Sequence, residues 1–400
     1  MKIPFFDYPR LFLDKKDEYM NIFSDVASRG AFIMQNDVDI FEKNLSIFSS
    51  SNYAIGVGNA TDGLEISWMA LNLRQGDEVI CCSHTMLATA SAIKVAGGIP
   101  IPVEIGEDNL IDPDAVEDAI TSRTVGIMPT QLNGRTCDME RIMQIANKYK
   151  LMVIEDSADT LGGKINNRPT GFFSDISITS FYGSHVISCA GNGGMFLTNN
   201  KNFFLKAKVL RSWGRMSSLL KNSEDINNRL SINLKGVGYD KKFVFSEAGY
   251  NFEPSEIGAS FGLAQLKKLK TFLKLRNRNF NLHKKFFDRF NNLFIVPKIL
   301  SNIKTNFLAY PIILKKNKLF NRKKLQVYLE KNNIQTRPIF SGNILRHPAF
   351  SNIISKKNRI NKFKNSDYIM KNGLLIGCHQ GLSLKEINFV HKTIEKFINK

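Results

Sequence analysis

The chain has 400 residues, 43% of them hydrophobic and 23% charged, enough apolar content for a large buried core and a length that suggests two or three domains. No run of about 18 apolar residues could span a bilayer, and Asp7, Pro9 and Arg10 break the first twenty residues where a signal-peptide core would lie, so a cytoplasmic protein with no membrane partner is expected. The formal net charge of +19 is concentrated in a Lys- and Asn-rich stretch from Lys267 to Lys400 that holds no recognition-helix, finger or RNP-like pattern; nucleic acid is not the expected partner, and phosphate-bearing small ligands fit the same sign of charge.

Between Tyr53 and Thr198, short apolar runs alternate with amphipathic stretches, which predicts a mainly parallel sheet covered by helices. The runs predict strands at Ala54–Val57, Glu78–Cys82, Ile99–Val103, Val125–Met128, Met152–Glu155, Ile176–Ser180 and Gly194–Leu197. Helices are predicted at Thr61–Leu73, Thr89–Ala96, Pro113–Ala119 and Met139–Tyr149. The result is a seven-stranded α/β domain. A polar interval from Met216 to Asp240 reads as a long excursion, and a single helix is expected from Pro254 to about Arg276. The remaining residues turn Lys-rich and α+β in character, so the boundary is placed near Leu275, with a large domain over 1–275 and a small one over 276–400.

Three segments carry chemistry. At Val57–Leu71 a strand ends in Gly58, and Asn59, Ala60 and Thr61 open a helix whose free N–H groups and positive dipole end suit a phosphate. Taken alone, such residues are ordinary helix caps. At Met152–Gly163 an apolar strand delivers Glu155 and Asp156 to its carboxyl edge, where open α/β sheets bind ligands. A carboxylate there can hold a heterocycle nitrogen protonated, although an acidic loop or a metal ligand has the same pattern. At Asp175–Asn200 a strand ends in Ser180, and a loop carries His185 into Gly191, Asn192, Gly193 and Gly194, glycines that allow close approach and positive φ.

In this order and spacing, the three segments resemble the DegT/DnrJ/EryC1/StrS sugar aminotransferases, whose fold is fold type I of the pyridoxal-phosphate enzymes. The resemblance also takes in GDEVICCSHTMLATASAI, PTQLNGRTCDM, GYNFEPSEIGASFGLAQL and NGLLIGCHQGLS. It implies that Ala60, Thr61 and Ser180 hold the phosphate of pyridoxal 5′-phosphate, that Asp156 pairs with its pyridine nitrogen, and that Asn251 reaches that phosphate from the other subunit of a homodimer. Met86 stands where the family places an aromatic against the cofactor ring. Most consequentially, the family's cofactor-linking lysine is replaced by His185 in SFYGSH. Imidazole makes no stable imine but transfers protons well near neutral pH.

The substitution resembles one branch of the family, the 3-dehydratases of nucleotide-linked 4-keto-6-deoxyhexoses. Asp159, an acidic residue after the cofactor aspartate, fits that branch, as do TRPIFSGNILRHPAF and GYDKKFVFSEAGYN. One type within it carries a two-iron, two-sulfur cluster on cysteines that follow the WGR segment. Here RSWGRMSSLLKNSEDINNRL has no cysteine, and Cys81, Cys82, Cys137, Cys189 and Cys378 show neither CxxC nor zinc spacing. Neither a metal nor an iron–sulfur cluster is therefore expected. The iron-free type uses pyridoxal and pyridoxamine phosphate bound without a covalent link and takes its amino group from L-glutamate. His185 is thus the expected catalytic base, and the product a 4-keto-3,6-dideoxy sugar of the kind found in surface polysaccharides. Arg215, Arg337 and Arg346 are candidate contacts for the sugar or its diphosphate. The competing readings are an aminotransferase-like enzyme using another amine, which the absence of lysine from Pro169 to Asn200 opposes, and an inert cofactor or sugar binder with a regulatory role.

Overall fold

The computed structural model describes residues 1–220, 223–350 and 362–399. The apolar runs between Tyr53 and Thr198 are continuous instead of alternating, as in strands covered on both faces. They form β1 (Tyr53–Val57), β2 (Glu78–Cys82), β3 (Ile99–Val103), β4 (Thr124–Met128), β5 (Met152–Asp156), β6 (Ile176–Ser180) and β7 (Gly194–Thr198). Successive residues of β2 face opposite layers. Ile80 packs with Met139 and Ile142 on one side, while Val79 and Cys81 join Leu64 and Trp68 on the other.

The strand order is β1-β7-β6-β5-β4-β2-β3. β7 runs antiparallel to both neighbours, and the other pairs are parallel. The carboxyl ends of β1, β5 and β6 and the start of β7 therefore share one edge, and the predicted site residues converge there. Helices Ala60–Ala70, Leu87–Val95, Pro113–Asp118 and Met139–Tyr149 connect the strands.

The helix expected from Pro254 to Arg276 is two helices, Glu256–Leu266 and Leu269–Asp288, with the break at Lys267 and Lys268. The two stretches pack on different surfaces. The first is small and apolar, and it packs against helices Lys16–Ser28 and Asn36–Phe48. The second runs to Asp288 and delivers Phe280, Phe286 and Phe287 to an aromatic cluster with Phe294, Phe307 and Tyr310. Leu275 falls inside this second helix. That cluster backs a four-stranded antiparallel sheet built from Phe294–Ile295, Ala309–Leu314, Gly373–Gly377 and Thr336–Arg337.

The Met216–Asp240 excursion contains a short helix at Ile226–Arg229 and a hairpin of Ile232–Leu234 with Val237–Tyr239; Lys221 and Asn222 lie outside the described residues. Among the described residues, no helix is long and apolar enough to cross a membrane.

Candidate active site

Strand register brings together the residues expected to meet a phosphate. Val57, Gly194 and Ser180 lie in one row across β1, β7 and β6. After Val57 the chain turns into the helix at Ala60, and Asn59 caps it by accepting the Asp62 N–H at 3.1 Å. The N–H groups of Ala60 and Thr61 precede the first helical bond and have no acceptor within the helix. A Cβ on Gly194 would lie 2.5 Å from the Asn59 carbonyl carbon and 2.7 Å from Ala60 N. Glycine at 194 thus lets the helix start lean over β7 toward Ser180. The Ser180 hydroxyl meets the backbone here as acceptor of the Tyr182 N–H at 3.2 Å. Of the loop glycines only Gly191 has a positive φ, 137°; at Gly193, as at Gly194, the need is space, since a Cβ would sit 2.8 Å from Cys189 Cβ.

Asp156, the last residue of β5, pairs in register with Ile178 on β6, two residues before Ser180. Its carboxylate is buried and accepts the Thr89 hydroxyl at 2.8 Å and the Ala158 N–H at 3.3 Å. Thr89 continues a hydroxyl chain through Thr85 to Thr130, at 2.9 and 3.0 Å. Among the described residues, no cationic side chain pairs with Asp156, and burial pushes its carboxyl above the usual range. A buried carboxylate that lacks a cation, one strand from Ser180 and on the same sheet edge as the free N–H groups of Ala60 and Thr61, fits a ligand with a protonated ring nitrogen at one end and a phosphate at the other.

Next to it, Asp159 Oδ1 lies 3.5 Å from His185 Nδ1, and Asp159 Oδ2 accepts the Asn133 N–H at 2.8 Å. Burial, reinforced by Asp156, pushes the Asp159 carboxyl up to about 7. Burial, with the Arg276 guanidinium behind it, pulls the His185 imidazole down to about 4. The pair therefore favours its neutral forms over an ion pair, and the Tyr182 ring stands edge-on to the imidazole at 6.1 Å.

Met86 is 53% exposed and caps helix Leu87–Val95, the helix that carries Thr89. Asn251 is exposed on a segment held against its own chain, where the Phe252 carbonyl accepts the Gly58 N–H at 2.9 Å. Arg215 stacks on Trp213 at 4.4 Å, and its buried Nε has no hydrogen-bond partner among the described residues. Arg337 is exposed and lies over the Phe5 ring. Arg346 is committed to Asp367, with Nε donating at 2.7 Å. The five cysteines are buried and free of disulfides. Sequence reading missed Thr89, Asn133 and Arg276. Thr85 lies before the helix that carries Thr89, so helical spacing gave no signal for the pair; Arg276, one cation in a Lys-rich helix, carried none.

The model for the DegT/DnrJ/EryC1/StrS aminotransferase family matches residues 13–395. Among curated proteins, the dTDP-4-dehydro-2,6-dideoxy-D-glucose 3-dehydratase of Saccharopolyspora spinosa is 31% identical, over 82% of this chain and 71% of its own length. The GDP-perosamine synthase of Escherichia coli O157:H7 is 30% identical, over 82% of each chain. Among solved structures, E. coli GDP-4-keto-6-deoxy-D-mannose-3-dehydratase with bound hydrated PLP superposes with a TM-score of 0.82 at 24% identity, covering 94% of this chain and 96% of that one. The architecture is fold type I of the pyridoxal-phosphate enzymes.

Proposed function

This chain belongs to the DegT/DnrJ/EryC1/StrS aminotransferase family, and within that family we propose that it removes the C3 hydroxyl of a nucleotide-linked 4-keto-6-deoxyhexose, with pyridoxal and pyridoxamine phosphate held non-covalently and L-glutamate as amine donor. The observation that carries this reading is His185 on the loop after β6, beside Asp159, with no lysine between Pro169 and Asn200. A lysine would both bind the cofactor covalently and move the proton of amino transfer; an imidazole does only the second. Relatives named as 3-dehydratases support the reading.

The N–H groups of Ala60 and Thr61 and the Ser180 hydroxyl would hold the cofactor phosphate, joined by Asn251 of a second copy in a homodimer. Met86 would lie against the ring. When bound, the cofactor supplies an electron sink, its ring kept cationic by Asp156. His185 has Nδ1 turned to Asp159, which leaves Nε2 to take the proton from carbon C4′. Asp159 Oδ1, 3.5 Å from Nδ1 and not hydrogen-bonded to it, would orient the imidazole by charge, and Asp159 is itself fixed by the Asn133 N–H. Arg215 and Arg337 would meet the sugar or its diphosphate. The balance closes: glutamate leaves as 2-oxoglutarate, its nitrogen as ammonia, and the two electrons it gives up reduce C3 while the hydroxyl departs as water.

A panel of nucleotide-linked 4-keto-6-deoxyhexoses incubated with the holoenzyme and glutamate tests this by mass spectrometry. The expected product has lost one oxygen and gained no nitrogen. A product that gains nitrogen and keeps its C3 oxygen would replace dehydration by amino transfer.

A further inference from the structure

Arg276 is fully buried in the middle of helix Leu269–Asp288. Its Nε donates to Gln380 Oε1 at 2.8 Å, Nη1 to the carbonyls of Leu308 at 3.0 Å and Phe307 at 3.3 Å, and Nη2 to the His185 carbonyl at 3.4 Å. Among the described residues every one of these acceptors is neutral, and no carboxylate pairs with the guanidinium. A cation buried without a counter-charge is costly, and an apolar side chain would fill the same volume at less expense. Stability alone is a poor reason for an arginine at this position.

The surrounding bonds close a circuit around His185. Leu308 and Ala309 are clasped by Asn133, whose carbonyl accepts the Leu308 N–H at 3.3 Å and whose side-chain amide exchanges bonds with Ala309 at 3.0 Å each way. The Asn133 N–H holds Asp159, and Asp159 faces the imidazole. Gln380, itself held by Arg276, donates to the Val186 carbonyl at 3.5 Å. Arg276 therefore grips both ends of the path that positions the Asp159–His185 pair.

We propose that Arg276 is a positioning residue for His185: its guanidinium anchors the loop by the His185 carbonyl and sets an uncompensated positive charge behind the imidazole. This rests on the reading of His185 as the base. The other titratable groups around the ring are Asp159 from the loop after β5, Tyr182 on its own loop, and Tyr8, which packs on Gly183. Of these only Asp159 bears a charge near neutral pH, and its negative charge would draw a proton onto the ring, opposite to Arg276. His379 is also acted on by the arginine, with burial and Arg276 together pulling its imidazole down to about 4.

The test is an NMR titration of side-chain-labelled histidine in the full-length protein, with the His185 signal assigned by its loss in His185→Asn. It reads the imidazole directly, so it stands whether or not dehydration is the reaction. Arg276→Gln keeps donors for the carbonyls and removes the charge; the His185 midpoint is expected to rise by one pH unit or more, about a tenfold gain in proton affinity. Arg276→Lys keeps the charge, so its midpoint is expected to stay near the wild-type value. Gln380→Glu neutralises the guanidinium in place and is expected to raise the midpoint too, which keeps the test available should Arg276→Gln fail to fold. An unchanged His185 midpoint in a folded Arg276→Gln or Gln380→Glu protein would overturn the proposal. Dehydration at full rate by His185→Asn would sink the catalytic reading instead and leave the titration result untouched.

Discussion

At the scale of single residues, chemistry turns on one substitution and its surroundings. An imidazole pulled down to about 4 is unprotonated at neutral pH and free to accept a proton. His185→Asn is expected to bind cofactor and sugar normally and to lose roughly a hundredfold or more in dehydration rate, the usual effect of removing a general base. Stopped-flow absorbance with single-turnover mass spectrometry reads both, and an undiminished rate would assign the proton transfer to another group. Borohydride reduction of the cofactor-loaded protein should leave no cofactor attached to any peptide; a labelled lysine would contradict a non-covalent site. His185 and Asp156 were legible from sequence because each sits in a recognisable segment at a strand end. Thr89 and Arg276 were not, since they meet Asp156 and the His185 loop only through packing of distant segments.

At the scale of elements, the site depends on how closely one helix start approaches one strand. Gly194→Ala would drive a methyl to 2.5 Å from backbone atoms of Asn59, and backbone cannot swing aside as a flexible side chain can. The expected outcome is displacement of the Ala60 N-terminus and at least a tenfold loss of pyridoxal-phosphate affinity by equilibrium dialysis, with β7 and the sheet retained by circular dichroism. Unchanged affinity would mean that the phosphate binds away from this helix start. The strands were predictable because each is a short apolar run bounded by polar turns. The split between Glu256–Leu266 and Leu269–Asp288 was not, because both stretches favour helix and only their different packing surfaces force the break.

At the scale of the whole molecule, burial of histidine sets the response to acid. His84, His185, His379 and His391 are pulled down to about 4 and His283 to about 3, each chiefly by burial. An unfolded imidazole protonates near 6.5, so between that pH and about 4 the unfolded chain takes up protons that the folded chain refuses. Stability therefore rises with pH across this window and is lost as pH falls. Asp159, titrating near 7, and the raised Asp62, Glu65, Glu155, Asp156 and Asp175 act in the opposite sense, six carboxyls against five imidazoles whose shifts span the whole window. Thermal scans should show the melting temperature falling by several degrees from pH 7 to pH 5, and a flat profile would mean that these imidazoles are open to solvent. If Asn251 completes the site of a second copy, mixing Asn251→Ala with Asp156→Asn protein should restore part of the activity that each lacks. No recovery after subunit exchange would place both groups in one chain's site.

By itself the sequence determined the seven strands, the edge on which they deliver Asp156 and Ser180, and the replacement of a lysine by His185, because local pattern and residue chemistry need no knowledge of distant neighbours. Only the tertiary structure decided what surrounds those groups: the register that lines up Val57, Gly194 and Ser180, the hydroxyl chain behind Asp156, and the arginine behind His185. The reason is that proton affinity follows burial and nearby charge, and both are supplied by segments 67 to 194 residues away in the chain.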